Sequence, residues 1–376
     1  MKIVFLTSGH FPYDDRIYYH MAITLAGSGH NVLIISSKAD TIDKDGNISI
    51  NSFNGQNLSK REKIASFRER LDTFNPDISI CSEPLPIIAA KQYRKRAGKK
   101  IKIIYDITEW YPAARFLKEY YSMGRWFGFL KLMFLNVYAC LSVDAFIFGE
   151  RYKSRPYRFM FPFTPQILLS YYPDLKYIDP KDPAFSDKIL RLSYSGEISI
   201  EKGFGSFMRV ADGLSALYPN LAIEVKMVAW YVSDKDREEC EPLINNAKGN
   251  ITISFPGKQI FTDFTSRIND TDIFLDLRKA DFENNYSLPI KLFYYAALGR
   301  PVIISDLKAV RRDAEIEKFG FVVNPKDTGE IIKILTGYFN NPGLYMEHCI
   351  NARRLSDEKY NWGKVSPEFL SFIESV

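Results

Sequence analysis

The sequence predicts an α/β protein built as two parallel sheets, each wrapped by helices. Two observations carry this: apolar, β-branched runs alternate with segments of helical period, and the whole alternation occurs twice. A third sets the boundary. Between the two series lies FPFTPQILLSYYPDLKYIDPKDPAF, rich in Pro and Tyr and without a long helical pattern, which puts a domain junction near residues 170 to 185. At 376 residues the chain is also longer than one hydrophobic core usually serves.

The first series of strands reads KIVFLT, NVLIIS, DISICS, IKIIYD and DAFIFG. Between the first two, DDRIYYHMAITLAGSGH carries Ile17, Met21 and Leu25 on one helical stripe, and Gly27 and Gly29 stop it. Strand, helix and strand make one βαβ unit. The second series reads LRLSYS, LAIEVKMVA, NITISF, DIFLDL and PVIIS, separated by helical segments such as GFGSFMRVADGLSALY and SLPIKLFYYAAL. In the closing NWGKVSPEFLSFIESV, Phe369, Phe372 and Ile373 share a stripe, which suits a helix packing back across the first domain. The expected divisions are an N-terminal domain over 1–172, a C-terminal domain over 173–357 and a terminal helix over 358–376.

Trp126 to Leu141 is strongly apolar, but it is too short for a membrane span and is interrupted by Lys131 and Asn136. A buried helix is expected. Tyr120, Tyr121, Trp126, Phe127 and Phe129 beside Arg115, Lys118, Arg125 and Lys131 leave open an interfacial helix that dips into lipid.

Bulk properties exclude several classes. An apolar content of 46% argues against disorder. The N-terminus lacks a signal-peptide core and cleavage site, so a cytoplasmic protein is expected. Cys81, Cys140, Cys240 and Cys349 have neither zinc-site spacing nor the density of a disulfide scaffold. The net charge of +5 divides unevenly: Lys and Arg counted against Asp and Glu give +8 over residues 1–180 and −3 over the rest. Lys91, Arg94, Lys95, Arg96, Lys99 and Lys100, then Arg151, Lys153, Arg155 and Arg158, make up much of the excess. Such runs fit a solvated helix face or contact with an anionic surface. No nucleic-acid-binding motif accompanies them, and no nucleic-acid partner is expected.

Ligands of open α/β sheets gather beyond the carboxyl ends of the strands. After KIVFLT comes SGHFPYDDRI, where Gly9 lets backbone approach a ligand and His10, Asp14 and Arg16 add polar groups at a helix start; Asp14 or Asp15 serving only as a cap is equally open. After IKIIYD, Asp106 and Glu109 are two carboxylates at a strand end, fit for a base, an acceptor-hydroxyl ligand or a capping pair. SYSGEISIEKGF joins a strand, Gly196, Lys202, Gly203 and a helix, the parts a phosphate-holding loop needs. It is neither a GxGxxG fingerprint nor a Walker loop. Finally, YSLPIKLFYYAALGRPVI puts Pro289 and Lys291 in a helix's first turn, where a lysine opposes the helix dipole unless an anion is present.

Taken in order, these four loops resemble glycosyltransferase family 4, and SGHFPYDDRIYYHMAITLAGSGHNVLIIS is similar to the opening of its capsule or lipopolysaccharide subgroup. YDITEWYP resembles the subgroup's Asp-x-His-Glu segment, SYSGEISIEKGF its glycine-to-lysine phosphate loop and YSLPIKLFYYAALGRPVI its donor helix. The resemblance implies the GT-B fold, two Rossmann-like domains facing a central cleft with the C-terminal helix packing back on the first. It further implies a retaining, metal-independent transfer of a sugar from a nucleotide-sugar, a co-substrate rather than a cofactor, to a saccharide or lipid-linked acceptor.

By the same resemblance Gly196, Lys202, Gly203 and Lys291, with the backbone of Ser287 and Leu288, would hold the donor diphosphate. Gly9, His10, Asp14, Arg16 and Thr108 would face the acceptor, with Asp106 and Glu109 near the chemistry. Polysaccharide synthesis at the inner face of the membrane would be the setting. The chain departs from the pattern at Glu197, where arginine is usual, at Thr108, where histidine is usual, and at Tyr286 and Tyr294, which stand where two glutamates touch the sugar and the nucleotide ribose. A non-catalytic partner in polysaccharide assembly is the alternative, and an epimerase or phosphorylase on the same architecture a third.

Overall fold

The computed structural model describes residues 1–112 and 122–376. They form two compact units, Met1–Tyr171 with Val365–Val376, and Tyr172–Lys364.

The first unit holds strands β1 (Lys2–Thr7), β2 (Asn31–Ser36), β3 (Thr41–Asp45), β4 (Ile48–Ser52), β5 (Ile78–Cys81), β6 (Lys102–Ile107), β7 (Ala145–Phe148) and β8 (Gln166–Leu168) in the order β3-β4-β2-β1-β5-β6-β7-β8. All neighbours are parallel except the β3–β4 hairpin. Covered on both faces, the central strands are apolar on both, hence continuous runs such as Ile3–Leu6. A π-helical segment Asp15–Ala22 runs into α1 (Ile23–Gly27), and α2 (Lys60–Phe74), α3 (Pro84–Ala97), α4 (Ser122–Cys140) and α5 (Arg151–Met160) follow. Phe67, Leu71, Ile87, Tyr93, Phe146 and Phe148 belong to one buried cluster.

The second unit holds β9 (Ile189–Ile198), β10 (Ala222–Tyr231), β11 (Ile251–Ser254), β12 (Ile273–Asp276), β13 (Val302–Ser305) and β14 (Gly320–Val323), ordered β11-β10-β9-β12-β13-β14 and wholly parallel. Its helices are α6 (Phe204–Leu217), α7 (Asp234–Asn245), α8 (Phe261–Ile268), α9 (Phe282–Asn285), α10 (Lys291–Ala297), α11 (Lys308–Asp313), α12 (Thr328–Asn340) and α13 (Pro342–Glu358), while α14 (Trp362–Ser375) starts at its end and from Val365 on belongs to the first unit. Two apolar clusters result, one containing Leu192, Phe204, Phe207 and Tyr338, the other Phe274, Phe293, Ile304 and Tyr360. Each such large side chain contributes roughly 1.5–3 kcal/mol on burial.

Helix α4 corrects one expectation, since it is not buried all round. Gly128, Asn136, Ala139 and Cys140 face inward, whereas Trp126, Phe127, Phe134, Tyr138 and Leu141 are 50–71% exposed. At 100° per residue those five fall on one side, so the apolar side of the helix faces outward. Arg115, Lys118, Tyr120 and Tyr121, the other members of this basic and aromatic run, lie outside the described residues. Among the described residues no helix is long and apolar enough to cross a membrane. The four cysteines are buried and unpaired.

Candidate functional site

Strand order reverses at β9, which lies between β10 and β12, and ligands of α/β sheets bind beyond the carboxyl ends of strands at such a switch point. The segment from β9 to α6 and the segment after β12 meet there. Gly203, at φ +88°, brings its α-carbon so close to the carbonyl of Leu277 that a side chain has no room. The Lys279 N–H donates to the Glu201 carbonyl at 3.1 Å. Lys202 is half-buried between them, its N–H bonded to Ser199 Oγ at 3.1 Å.

Lys291 reaches the same place from α10. Its ammonium donates to the carbonyl of Ser195 at 2.6 Å, in the space that a Cβ on Gly196, at φ +104°, would fill. Burial first, then the positive charge of Arg278, push its pKa down to about 8, against the pull of Asp276 and Glu197. A carbonyl thus receives the charge for which an anion was expected. Pro289 corrects a second expectation, because it precedes α10 rather than sitting in its first turn. The chain enters through a tight turn in which the Pro289 carbonyl accepts from the Leu292 N–H at 3.1 Å.

The sequence reading missed two neighbours, Asp276 and Arg278. Arg278 donates through Nε and Nη2 to the Asp276 carboxylate at 2.7 and 2.6 Å. Asp276 lies near the end of DIFLDL and Arg278 directly follows it, so their position at the carboxyl end of that strand was the available signal. Glu197 is exposed, and Ser287 and Leu288 are half-buried. Tyr286 accepts from Lys308 Nζ at 3.0 Å. Tyr294 is only 4% exposed and stands edge-on to Phe261 and Phe264.

In the first unit the strand order reverses at β1, between β2 and β5. The turn after β1 closes around a carboxylate that the sequence reading overlooked. Glu83 accepts from the Ser8 N–H at 2.7 Å, the Gly9 N–H at 3.0 Å and Thr7 Oγ1 at 2.9 Å. It follows DISICS as the third residue of CSEPLP, and only the adjacency of β5 to β1 reveals its place. Successive N–H groups in such a turn form an anion-binding nest, and here Glu83 fills it.

His10 Nδ1 lies 2.8 Å from Asp14 and its Nε2 3.8 Å from Glu83. Burial disfavours the imidazolium, but the hydrogen bond and charge of Asp14, with Glu83 and Asp15 adding theirs, raise His10 to about 9. Asp14 also caps the following helical segment, accepting from the Arg16 and Ile17 N–H groups at 3.0 and 3.1 Å. Burial and the charge of Asp14 lift Asp15 to about 6.

Two expected site residues turn out to serve each other. Arg16 and Asp106 are 3% and 1% exposed and form a bidentate pair at 2.8–2.9 Å, with Arg16 also donating to the Leu169 carbonyl at 3.1 Å. Neither presents an exposed surface to an acceptor, and Asp106 in this geometry is neither a solvent-facing base nor a helix cap. Glu109 is exposed and Thr108 half-buried, its carbonyl accepting from Lys153 at 2.6 Å. Among the described residues no group of three or more His, Cys, Asp or Glu is arranged to hold a metal ion.

No family model and no curated protein sequence matches the chain. Solved structures do. Sucrose-phosphate synthase from Thermosynechococcus elongatus matches with a TM-score of 0.76 at 14% identity, over 100% of this chain and 99% of that one. HepE from Anabaena in complex with UDP-glucose matches at 0.72 and 13% identity over 100% of both. The lipopolysaccharide outer core galactosyltransferase WaaB matches at 0.62 and 17%, over 100% of this chain and 99% of that one. The fold is accordingly that of the GT-B glycosyltransferases, two parallel-sheet Rossmann-like units.

Proposed function

We propose that the chain is a glycosyltransferase that takes a sugar from a nucleotide-sugar held by its second unit, with Lys202 and Lys291 on the donor diphosphate. The observation that carries the reading is the meeting of these lysines at the β9–β12 switch point, where each lies within the other's electrostatic reach. In the reaction the bond from the sugar's anomeric carbon to the diphosphate oxygen breaks. An acceptor hydroxyl attacks from the same face, and its proton goes to the departing phosphate. The two ammonium groups stabilise the charge that develops there, the part a metal ion plays elsewhere.

The acceptor, a saccharide or lipid-linked saccharide in cell-surface polysaccharide synthesis, belongs to the first unit, near His10, Asp14, Thr108 and Glu109. The resemblance to family 4 and its capsule or lipopolysaccharide subgroup supports this acceptor assignment, while the UDP-glucose bound to HepE supports a nucleotide-sugar as the donor. A cytoplasmic enzyme attached to the membrane's inner face agrees with the outward apolar side of α4. Phe159 and Phe163, 87% and 97% exposed, accompany the exposed Arg151, Arg155 and Arg158 of α5. Cosedimentation with phosphatidylglycerol vesicles, stronger than with phosphatidylcholine vesicles, checks the attachment; recovery with phosphatidylglycerol no greater than in a vesicle-free control contradicts it.

The test is a mass-spectrometric screen for transfer across a panel of nucleotide-sugars with Lys202→Ala alongside. Turnover lost in the variant with little change in melting temperature is expected, and variant turnover equal to wild type overturns the clamp. One observation favours a second reading, a non-catalytic partner in polysaccharide assembly. Tyr294, where the family carries its ribose-binding glutamate, is turned into an aromatic cluster. That reading requires the screen to find no transfer at all.

A further inference from the structure

We infer that Arg278 is a third cation of the diphosphate site, held ready by Asp276. The inference rests on the lysine clamp proposed above and adds to it a residue from a different segment.

The backbone of Arg278 is fixed on two sides. Its carbonyl accepts from Ser305 Oγ, at the end of β13, at 2.7 Å. On the other side Gly203, which opens α6, packs against Leu277 and the Arg278 nitrogen. Arg278 therefore follows the phosphate-type loop wherever that loop sits. Its guanidinium presents Nε and Nη2 to the nearly buried Asp276, and Nη1 has no hydrogen-bond partner among the described residues. Holding one edge of a guanidinium on a carboxylate fixes the plane of the whole group, which is how an arginine is prepared to donate a directed hydrogen bond.

The charge count points the same way. Lys291 lies within electrostatic reach of Lys202 and Arg278, and of the carboxylates Asp276 and Glu197. Three cations against two anions leave one unmatched positive charge beside a lysine already partly buried. Like charges so gathered repel one another unless an anion joins them. A diphosphate, with oxygen acceptors spread over two phosphorus centres, can take hydrogen bonds from all three.

Asp276 complicates a simple deletion, since removing Arg278 alone leaves a nearly buried carboxylate without its partner. The decisive variant is the double substitution Asp276→Asn/Arg278→Gln, in which the pair is neutral overall, as it is in the wild type. Binding of UDP, GDP and inorganic pyrophosphate is measured by calorimetry at pH 7 for wild type, Arg278→Gln and the double variant. An affinity at least about tenfold weaker in both variants is expected, since a charge-assisted bond is lost in each. If Arg278 serves only as the counter-ion of Asp276, the double variant needs no counter-ion and binds like wild type, which overturns the inference while leaving the lysine clamp intact. Absence of binding in the wild type overturns both.

Discussion

The ammonium of Lys291 lies 2.6 Å from the carbonyl oxygen of Ser195, under a glycine with no side chain to obstruct it. This arrangement ties a positive-φ position in β9 to a cation in α10. Gly196→Ala is expected to force the ammonium aside and to strain the backbone at φ +104°, at a cost of about 1–3 kcal/mol. Urea denaturation should show that loss, and calorimetry should show weakened diphosphate binding. A variant with unchanged affinity would mean that Lys291 takes no part in the site.

The same lysine sets a pH dependence. Its pKa is about 8 in the folded chain against an ordinary value of 10.5, so between those values the unfolded chain holds a proton that the folded chain has released. This group's contribution to stability therefore rises with pH through that window, while affinity for an anion falls. At pH 8 diphosphate binding should draw in a proton, seen as a dependence of the binding heat on the buffer's ionisation heat. Binding heats independent of the buffer would contradict the assignment.

The pair Arg16–Asp106 is expected to act through stability. Arg16→Met leaves the Asp106 carboxylate buried and alone, a change that typically costs about 3–5 kcal/mol. Denaturation midpoints should fall accordingly. A variant that folds with wild-type stability yet loses transfer would return both residues to the acceptor site.

His10 should remain an imidazolium at neutral pH. Its pKa is raised from 6.5 to about 9, so the stability it contributes is complete below about pH 6.5 and is lost as the pH rises through 9. An imidazole NMR titration gives the midpoint directly. The stability gap between wild type and His10→Gln should narrow from pH 6.5 to pH 9.5, and a midpoint near 6.5 would contradict the triad of His10, Asp14 and Glu83.

The doubly repeated strands were legible because a parallel sheet covered on both faces must be apolar along its length, as KIVFLT and DIFLDL are. The short strands β3, β4 and β8 were not, since TIDKD and ISINS lie near the sheet's exposed edge and carry polar residues. In the site, glycines and lysines were legible because close approach and charge demand those residue types. Glu83 and Arg278 were not, because their importance comes from strand order, which brings β5 beside β1 and β12 beside β9. Arg16 and Asp106 carried the right chemistry for a site, yet only the folded chain reveals that they answer each other.

The claim that unit two holds a nucleoside diphosphate between Lys202 and Lys291 is tested most directly by calorimetric titration of the wild type and Lys202→Ala with UDP and GDP. Saturable binding of at least one of them to the wild type, weakened by about tenfold or more in the variant, is the expected result. No saturable binding to the wild type, or equal binding to both proteins, would contradict it.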